Sequence, residues 1–438
     1  MGEITRATVV TALGMGVARA VGLAREIMVA ALFGVSGQMD VWVVTFTLIG
    51  VPSAIVMNAL QTALIPAVSR SSSVNEKNAL LAGAVSVTLI AMGAGAVILL
   101  GAGEWLFKLI RSDPDTLYAY QPSKLIWLLL PYYFFSALNL LGYSSLQAEK
   151  RFHENAVIPI VSPLVVIIAL LLLPGSLNVS VLALAVSTGV FAEFLTLVLI
   201  LRRFNLHLTT AGPITPLIGD VGVAKHATWF VPSTLILSAM PIIDQAIASG
   251  LGEGANATLA YGQRIPAAIN GLAAAAVGVA VLPFFSAAIG RHGPEALAVM
   301  LARQTWRLLT LAVAVSVFLT VSSPWIVKLI YERGAFDSHA TGSVAAVQGA
   351  YFMQLPGMIV GMLYTRAVVA QGRARMLATL TAFTVLTQAA LSWVFSAWIG
   401  LSGLGIAAAL TSALNAVALI ILVLGRKPSA WIGLPNRK

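Results

Sequence analysis

Apolar residues run through this chain in long blocks separated by short polar links. The blocks lie at about residues 7–33, 41–68, 78–102, 122–147, 155–174, 178–201, 223–250, 257–286, 299–323, 340–370, 376–400 and 402–425. Each matches the roughly 20 residues a helix needs to cross a bilayer core. Lipid offers no partner for open backbone groups, so such blocks are read as helices rather than strands. The pattern therefore predicts an all-α polytopic membrane protein with about 12 transmembrane helices.

A repeat divides these spans into two sets. Trp105-Leu106-Phe107-Lys108-Leu109-Ile110 recurs as Trp325-Ile326-Val327-Lys328-Leu329-Ile330, Leu64-Ile65-Pro66 as Val281-Leu282-Pro283, and Glu26 before Gly34 as Asp244 before Gly252. The offsets of 220, 217 and 218 residues are nearly constant. A unit of six helices leaves both copies in the same orientation, related by an axis along the membrane normal. The expected organisation is an N-lobe at 1–201, a cytoplasmic linker at 202–222 and a C-lobe at 223–438, the lobes parallel around a central cavity. A cavity between two lobes suits alternating access better than a static pore. The outward segments Gly103–Lys124 and Pro324–Ala340 read either as short interfacial helices anchored by Trp105 and Trp325 or as plain polar loops.

Composition strengthens the membrane assignment: 59% of the 438 residues are hydrophobic and 10% charged, with a mean hydropathy of +0.92. The net charge of +10 is topological rather than a nucleic-acid footprint. Seventeen lysines and arginines lie in or near the termini and the links after even-numbered spans, and five in or near the links after odd-numbered ones. By the positive-inside rule both termini are expected in the cytoplasm, with anionic membrane lipids as the basic flank's partners. The first block is too long, and too charged within, for a cleavable signal. With no cysteine there is no disulfide or thiolate site, and the five histidines show no paired ligand spacing. No metal site or cofactor is expected, and scattered acids on the cytoplasmic links speak against a metal-dependent enzyme.

What changes the picture is charge inside the spans. The first carries Arg19, Arg25 and Glu26, the seventh Asp244 and the eighth Arg264. A central arginine costs about 2.5–3.5 kcal/mol on insertion scales, so such residues usually face a bundle interior or watery cavity. Counted from the expected ends of their helices, Arg19 lies about 18 Å and Arg25 about 27 Å from the cytoplasmic side, and Arg264 about 11 Å from the outer side. Converging arginines suit a phosphate or diphosphate, which accepts paired hydrogen bonds from a guanidinium that stays charged when desolvated. The other reading pairs Arg25 with Glu26 or Asp244 as a structural ion pair and lets Arg19 snorkel. Asp244 reads as a counter-ion, a proton carrier, part of a cation site or a plain arginine partner. Asp40 reads as a gating residue or a helix N-terminal charge. Glu193, near Arg202 and Arg203, ranks last among the acids, and Arg366 reads as snorkelling. Gly and Pro cluster in the charged first, second, seventh and eighth spans, the candidate cavity walls.

Several of these stretches together resemble a known family. Gly22-Leu23-Ala24-Arg25-Glu26, Ala31-Leu32-Phe33-Gly34, Asp40 and Leu64-Ile65-Pro66 are similar to the N-terminal signature of the MurJ/MviN lipid II flippases. These belong to the superfamily of multidrug, oligosaccharidyl-lipid and polysaccharide exporters. Ile243-Asp244, Tyr261-Gly262-Gln263-Arg264, Arg333-Gly334-Ala335-Phe336-Asp337 and Leu355-Pro356 extend the likeness over nearly the whole chain. The resemblance implies a bacterial inner-membrane transporter, not an enzyme, that flips a polyprenyl-diphosphate-linked glycan. It further implies transport roles for Arg19, Arg25, Arg264 and Asp40, with Glu26 and Asp244 in gating or coupling to H+, Na+ or the membrane potential. A monomer is expected.

This sequence departs from that pattern in three places. Family members typically have fourteen helices against the twelve spans here, and their paired helix-2 arginines correspond to Pro52-Ser53-Ala54. An acidic cation-site position in the eleventh helix falls near Gln388 or Ser392. These departures leave room for an exopolysaccharide unit as cargo. The alternatives to a glycan flippase are a cation-coupled multidrug exporter of the same superfamily and a membrane glycan polymerase or ligase.

Overall fold

A computed structural model describes residues 2–110, 121–173, 178–208, 212–215, 223–370 and 375–424. All regular structure among them is helical: α1 (Gly2–Phe33), α2 (Gly37–Arg70), α3 (Val74–Ile110), α4 (Pro122–Ala148), α5 (Phe152–Val157), α6 (Val161–Leu172), α7 (Val179–Arg202), α8 (Val223–Ser249), α9 (Ala255–Tyr331), α10 (Ser338–Phe352), α11 (Leu355–Ala370), α12 (Arg375–Ile399) and α13 (Ser402–Leu424). Among the described residues, eight helical stretches are long and apolar enough to cross a membrane, matching the third to sixth and ninth to twelfth predicted spans. The other four predicted spans are helical too, within α1, α2, α8 and the first part of α9. They are the ones that carry Arg19, Arg25, Glu26, Asp40, Asp244 and Arg264.

Local chemistry explains several boundaries. Gly34, at φ +57°, ends α1, its N–H reaching the Ala30 carbonyl at 2.8 Å. Two residues on, Ser36 Oγ accepts from the Met39 N–H and opens α2. Asn178 and Asp337 cap α7 and α10 in the same way, at 3.0 and 2.8 Å.

The structure refines four of the expected elements. The tenth span divides into α10 and α11 at Met353-Gln354, with Pro356 in the first turn of α11, where its missing N–H costs nothing. The fifth divides into α5, a 3-10 turn at Ile158–Ile160 containing Pro159, and α6. The eighth and ninth predicted spans form one helical run, α9, because the strong helix formers around Arg291-His292-Gly293-Pro294 keep the backbone helical through the polar link. Finally, Trp105–Ile110 and Trp325–Ile330 are the last turns of α3 and α9 rather than separate interfacial helices. The repeat-related segments thus occupy like places in chain order. The rest of the first outward segment at residues 111–120, link residues 209–211 and 216–222, and the tail at 425–438 lie outside the described residues.

The chain forms two compact units. The first comprises Met1–Ile242 together with the short segment Arg333–Ala335. Here α4 packs on α2, α3 and α7, and small residues set the approach. A Cβ on Gly95 of α3 would meet the Tyr133 hydroxyl at 2.2 Å, and one on Gly142 of α4 would meet Leu197 of α7 at 2.2 Å. Ser187 Oγ donates to the Leu128 carbonyl at 2.7 Å, and Asn139 Nδ2 to the Val190 carbonyl at 3.2 Å.

Two glycines of this unit interlock. The Ala335 N–H donates to the Ala31 carbonyl at 2.7 Å. A Cβ on Gly34 would lie 2.3 Å from the Ala335 oxygen, and one on Gly334, at φ +62°, 2.2 Å from the Ala31 oxygen. Both positions need φ above zero and bare backbone, so only glycine fits.

After α7 the link folds back along α3. Asn78 donates from Nδ2 to the Asn205 carbonyl at 2.8 Å and accepts from the His207 N–H at 2.9 Å. Two turns on, Ser86 Oγ donates to the Gly212 carbonyl at 2.7 Å, while the Gly212 N–H reaches the Ala82 carbonyl at 3.1 Å. Positions 78, 82 and 86 share one helix face, which makes α3 a docking rail for the link.

The second unit comprises Ile243–Glu332 and Phe336–Lys438. In it α9 packs against α10 and α11, and α13 against α10, α11 and α12. Glycines again permit close helix contact: a Cβ on Gly262 would meet Val347 at 2.7 Å, one on Gly357 would meet the Ala413 nitrogen at 2.6 Å, and one on Gly405 would meet Ala350 at 2.6 Å. Ser316 and Ser323 of α9 donate to the Phe352 and Ala345 carbonyls of α10 at 2.9 and 2.8 Å. Tyr261, Tyr331 and Phe336 form an aromatic trio with centroids 5.5–5.6 Å apart. Trp325 and Leu329 of α9 and Trp393 and Trp398 of α12 are each exposed, as suits side chains that meet lipid.

Candidate functional site

The first unit holds an ion pair on α1 and a buried acid on α7. Arg25 forms an ion pair with Glu26, their side chains 28% and 17% exposed. Arg19 lies nearly two turns earlier on the same helix and is exposed. Glu193 is 8% exposed and sits on the inward stripe of α7 with Val190, Phe194, Leu197, Val198 and Leu201. Its carboxylate accepts a hydrogen bond from the Tyr143 hydroxyl of α4. Asp40 is fully buried in the first turn of α2, its N–H donating to the Ser36 carbonyl at 3.0 Å. A carboxylate there is favoured by the helix dipole.

The second unit holds a separate polar group. Asp244 of α8, 8% exposed, accepts from Ser392 Oγ of α12 at 3.3 Å. Gln388 Nε2 in turn approaches Ser392 Oγ at 3.5 Å. In the same unit Gln263 Nε2 donates to the Tyr351 hydroxyl at 2.7 Å. Arg264, the next residue along α9, is exposed.

The structure therefore brings Arg25 together with Glu26, Glu193 together with Tyr143, and Asp244 together with Ser392. The pairing of Arg25 with a neighbouring carboxylate was one of its two expected readings. Two contributors were not singled out from sequence. Tyr143 carried no charge to draw attention, and Glu193 was ranked by its distance from Arg202 and Arg203 rather than by the helix face it shares. The signal for Glu193 lay in its i, i+3, i+4 spacing from the apolar residues of α7.

Chemically, the first unit offers two guanidinium groups, Arg19 and Arg25, on the mainly apolar stretch 7–33 of α1. Arg25 is partly accessible and held by one carboxylate; Arg19 is open. Such groups suit an anion that replaces or joins the carboxylate partner. The second unit offers a buried carboxylate with a hydroxyl donor, suited to a small cation or a proton.

Comparison with known proteins accords with this arrangement. A sequence profile of the family described as "Lipid II flippase MurJ" matches residues 29–432. Arg19 and Arg25 precede that stretch, so their roles rest on their own chemistry. The "Lipid II flippase MurJ" of Burkholderia cenocepacia is 25% identical over 418 residues, covering 92% of this chain and 80% of the relative. Among solved structures, "Lipid II flippase MurJ, inward closed conformation" superposes with a TM-score of 0.78 at 19% identity, covering 97% of this chain and 89% of that one. An inward-facing multidrug resistance MATE family transporter of the MOP superfamily gives 0.76 at 17% identity, over 96% and 98% of the two chains. At such identities the structures establish a shared fold. The family match extends over most of the chain, and this multi-pass membrane protein, a transporter rather than an enzyme, belongs to the lipid II flippase MurJ family.

Proposed function

We propose that this protein is a flippase of the bacterial inner membrane. In this reading it moves a polyprenyl-diphosphate-linked saccharide outward by alternating access, with both termini in the cytoplasm. The observation that carries the reading is the pair of arginines on α1, one exposed and one 28% exposed, within its mainly apolar stretch 7–33. Their guanidinium groups bind the diphosphate, and Arg264, in the second unit, is a further substrate-binding residue. Asp40 and Glu26 act in gating, and Asp244 with Ser392 carries the coupling ion, H+ or Na+. The cargo is a lipid II-like precursor, as the name of the Burkholderia cenocepacia relative suggests, or an exopolysaccharide repeat unit on the same kind of carrier. The protein acts as a monomer.

A cation-coupled drug exporter is the second reading, favoured by the MATE-like fold and the buried Asp244. Basic residues on the first helix disfavour cationic drugs as cargo. Proteoliposomes separate the two readings. A fluorescent polyprenyl-diphosphate-linked glycan is expected to cross at a rate that depends on the protein, its monophosphate analogue about tenfold or more slowly, and a cationic dye not at all. Dye movement lost in Asp244→Asn, without lipid movement, selects the exporter.

A further inference from the structure

Asp244 stands at one end of a polar line that the reading above leaves unused. On α12, Thr384, Gln388 and Ser392 recur at every fourth residue, so they share one helix face over about 12 Å. Ser392 Oγ reaches Asp244 at 3.3 Å, and Gln388 Nε2 approaches Ser392 Oγ at 3.5 Å. One turn nearer Arg375, Thr384 Oγ1 lies 3.4 Å from Asn415 Oδ1 of α13, the helix that packs on α12. The line therefore extends from Asp244 toward the end of α12 that the topology proposed above puts at the cytoplasmic face.

A small cavity between α12 and α13 lies at the Thr384 end. Thr384, Thr387, Thr411 and Asn415 line it, and its volume of about 10 Å³ is the least that holds one water. The polar groups around it have hydrogen bonds left to make. Thr305, Thr365 and Thr384 each return their proton to the carbonyl four residues back, at 2.7–2.8 Å. Thr411 does not: it is 4% exposed, and its hydroxyl has no partner among the described residues. Thr384 owns a single proton, already given to the Leu380 carbonyl at 2.7 Å, so little of it is left for the Asn415 oxygen. A water here accepts from the Thr411 hydroxyl and donates to the Asn415 oxygen, which supplies what both lack.

We propose that this cavity is a water site, and that it forms the inward step of the route by which the coupling ion reaches Asp244. The proposal rests on the reading that Asp244 with Ser392 carries that ion. The water spans the turn between Thr384 and Gln388. An ion on this line meets hydroxyl, amide and water oxygens in succession, and it avoids the cost of a charge in bare hydrocarbon.

The chain has no cysteine, so one introduced thiol reports on its own position. The probe is silver ion in chloride-free buffer, applied to sealed inside-out vesicles, and the thiols left unreacted are counted with a fluorescent maleimide after denaturation. Thr411→Cys and Asn415→Cys are expected to react about tenfold or more faster than Val417→Cys, because a thiol in apolar surroundings stays protonated and inert. Val417 lies at a similar level of α13 but is 50% exposed on its outer face. Ser392→Cys should react from the same side, and adding Asn415→Leu should slow it severalfold. Rates are compared on variants that keep the wild-type thermal midpoint, and the two cavity positions check each other. Reaction at Thr411→Cys and Asn415→Cys no faster than at Val417→Cys overturns the water site. A Ser392→Cys rate indifferent to Asn415→Leu overturns the route. These measurements use neither lipid cargo nor an ion gradient, so they fail separately from the coupling reading. Ion-dependent transport retained in full by Asp244→Asn, with the cavity thiols reactive, overturns that reading and the route while the water site stands.

Discussion

Translocation of the diphosphate lipid is expected to fall by about a hundredfold or more in the Arg25→Ala, Arg264→Ala double variant. A hydrogen bond to a charged group contributes about 1.5–3 kcal/mol, so each guanidinium lost removes roughly a tenfold to hundredfold factor. Arg25→Lys keeps the charge but not the paired donors, and an intermediate loss of about tenfold is expected. Initial rates in proteoliposomes, corrected for the amount of protein inserted, give the measurement. Unchanged rates in the double variant would remove the diphosphate-binding role. Because Arg25 also holds Glu26, Glu26→Gln serves as the control that breaks the ion pair while leaving the cation.

The second large effect concerns stability. Gly334→Ala and Gly34→Ala are each expected to cost about 2–4 kcal/mol, since each adds a Cβ at positive φ and drives it into a backbone carbonyl. The neighbouring atom is main chain, which cannot rotate out of the way as a flexible side chain would. Gly342→Ala on α10 is the matched control, with no atom within 4 Å of the new methyl group. Thermal unfolding of the detergent-purified protein should show lower midpoints for the first two variants. The control should match the wild type or exceed it slightly, since alanine limits the unfolded chain. Equal midpoints for Gly334→Ala and Gly342→Ala would contradict the interlocked geometry.

Much of this architecture was legible in the order of the residues because the bilayer imposes a length. Each apolar block had to be a helix, and the tryptophan repeat placed equivalent segments at the ends of α3 and α9. Breaks depended on finer balances. Pro356 stands by a real interruption, whereas Pro294 lies within a continuous helical run whose alanine-rich flanks hold it together. The family signature was visible as a string of letters without the duties each letter performs. In Arg333-Gly334-Ala335-Phe336-Asp337, the glycine admits the Ala31 carbonyl, the alanine N–H bonds it, the phenylalanine joins Tyr261 and Tyr331, and the aspartate caps α10.

The candidate site was legible only in its charges. Arg19, Arg25, Arg264, Asp40 and Asp244 stood out because ionised groups are costly inside a span. Their partners depend on how one helix is rotated against another, and local sequence does not set that angle. Tyr143 meets Glu193 across the α4–α7 contact, and Ser392 meets Asp244 from 148 residues away.

The docking of the link on α3 bears on how the protein can be divided into two expressed pieces. Asn205 and His207 are hydrogen-bonded to Asn78, and Gly212 to Ala82 and Ser86, so these residues belong with the N-terminal fragment although they follow α7. A cut beside Arg203 leaves those groups without their partners and strands the docked segment on the wrong polypeptide. A cut just beyond Gly212 keeps every one of these bonds within a single fragment, and co-expressed halves should reassemble best from that point.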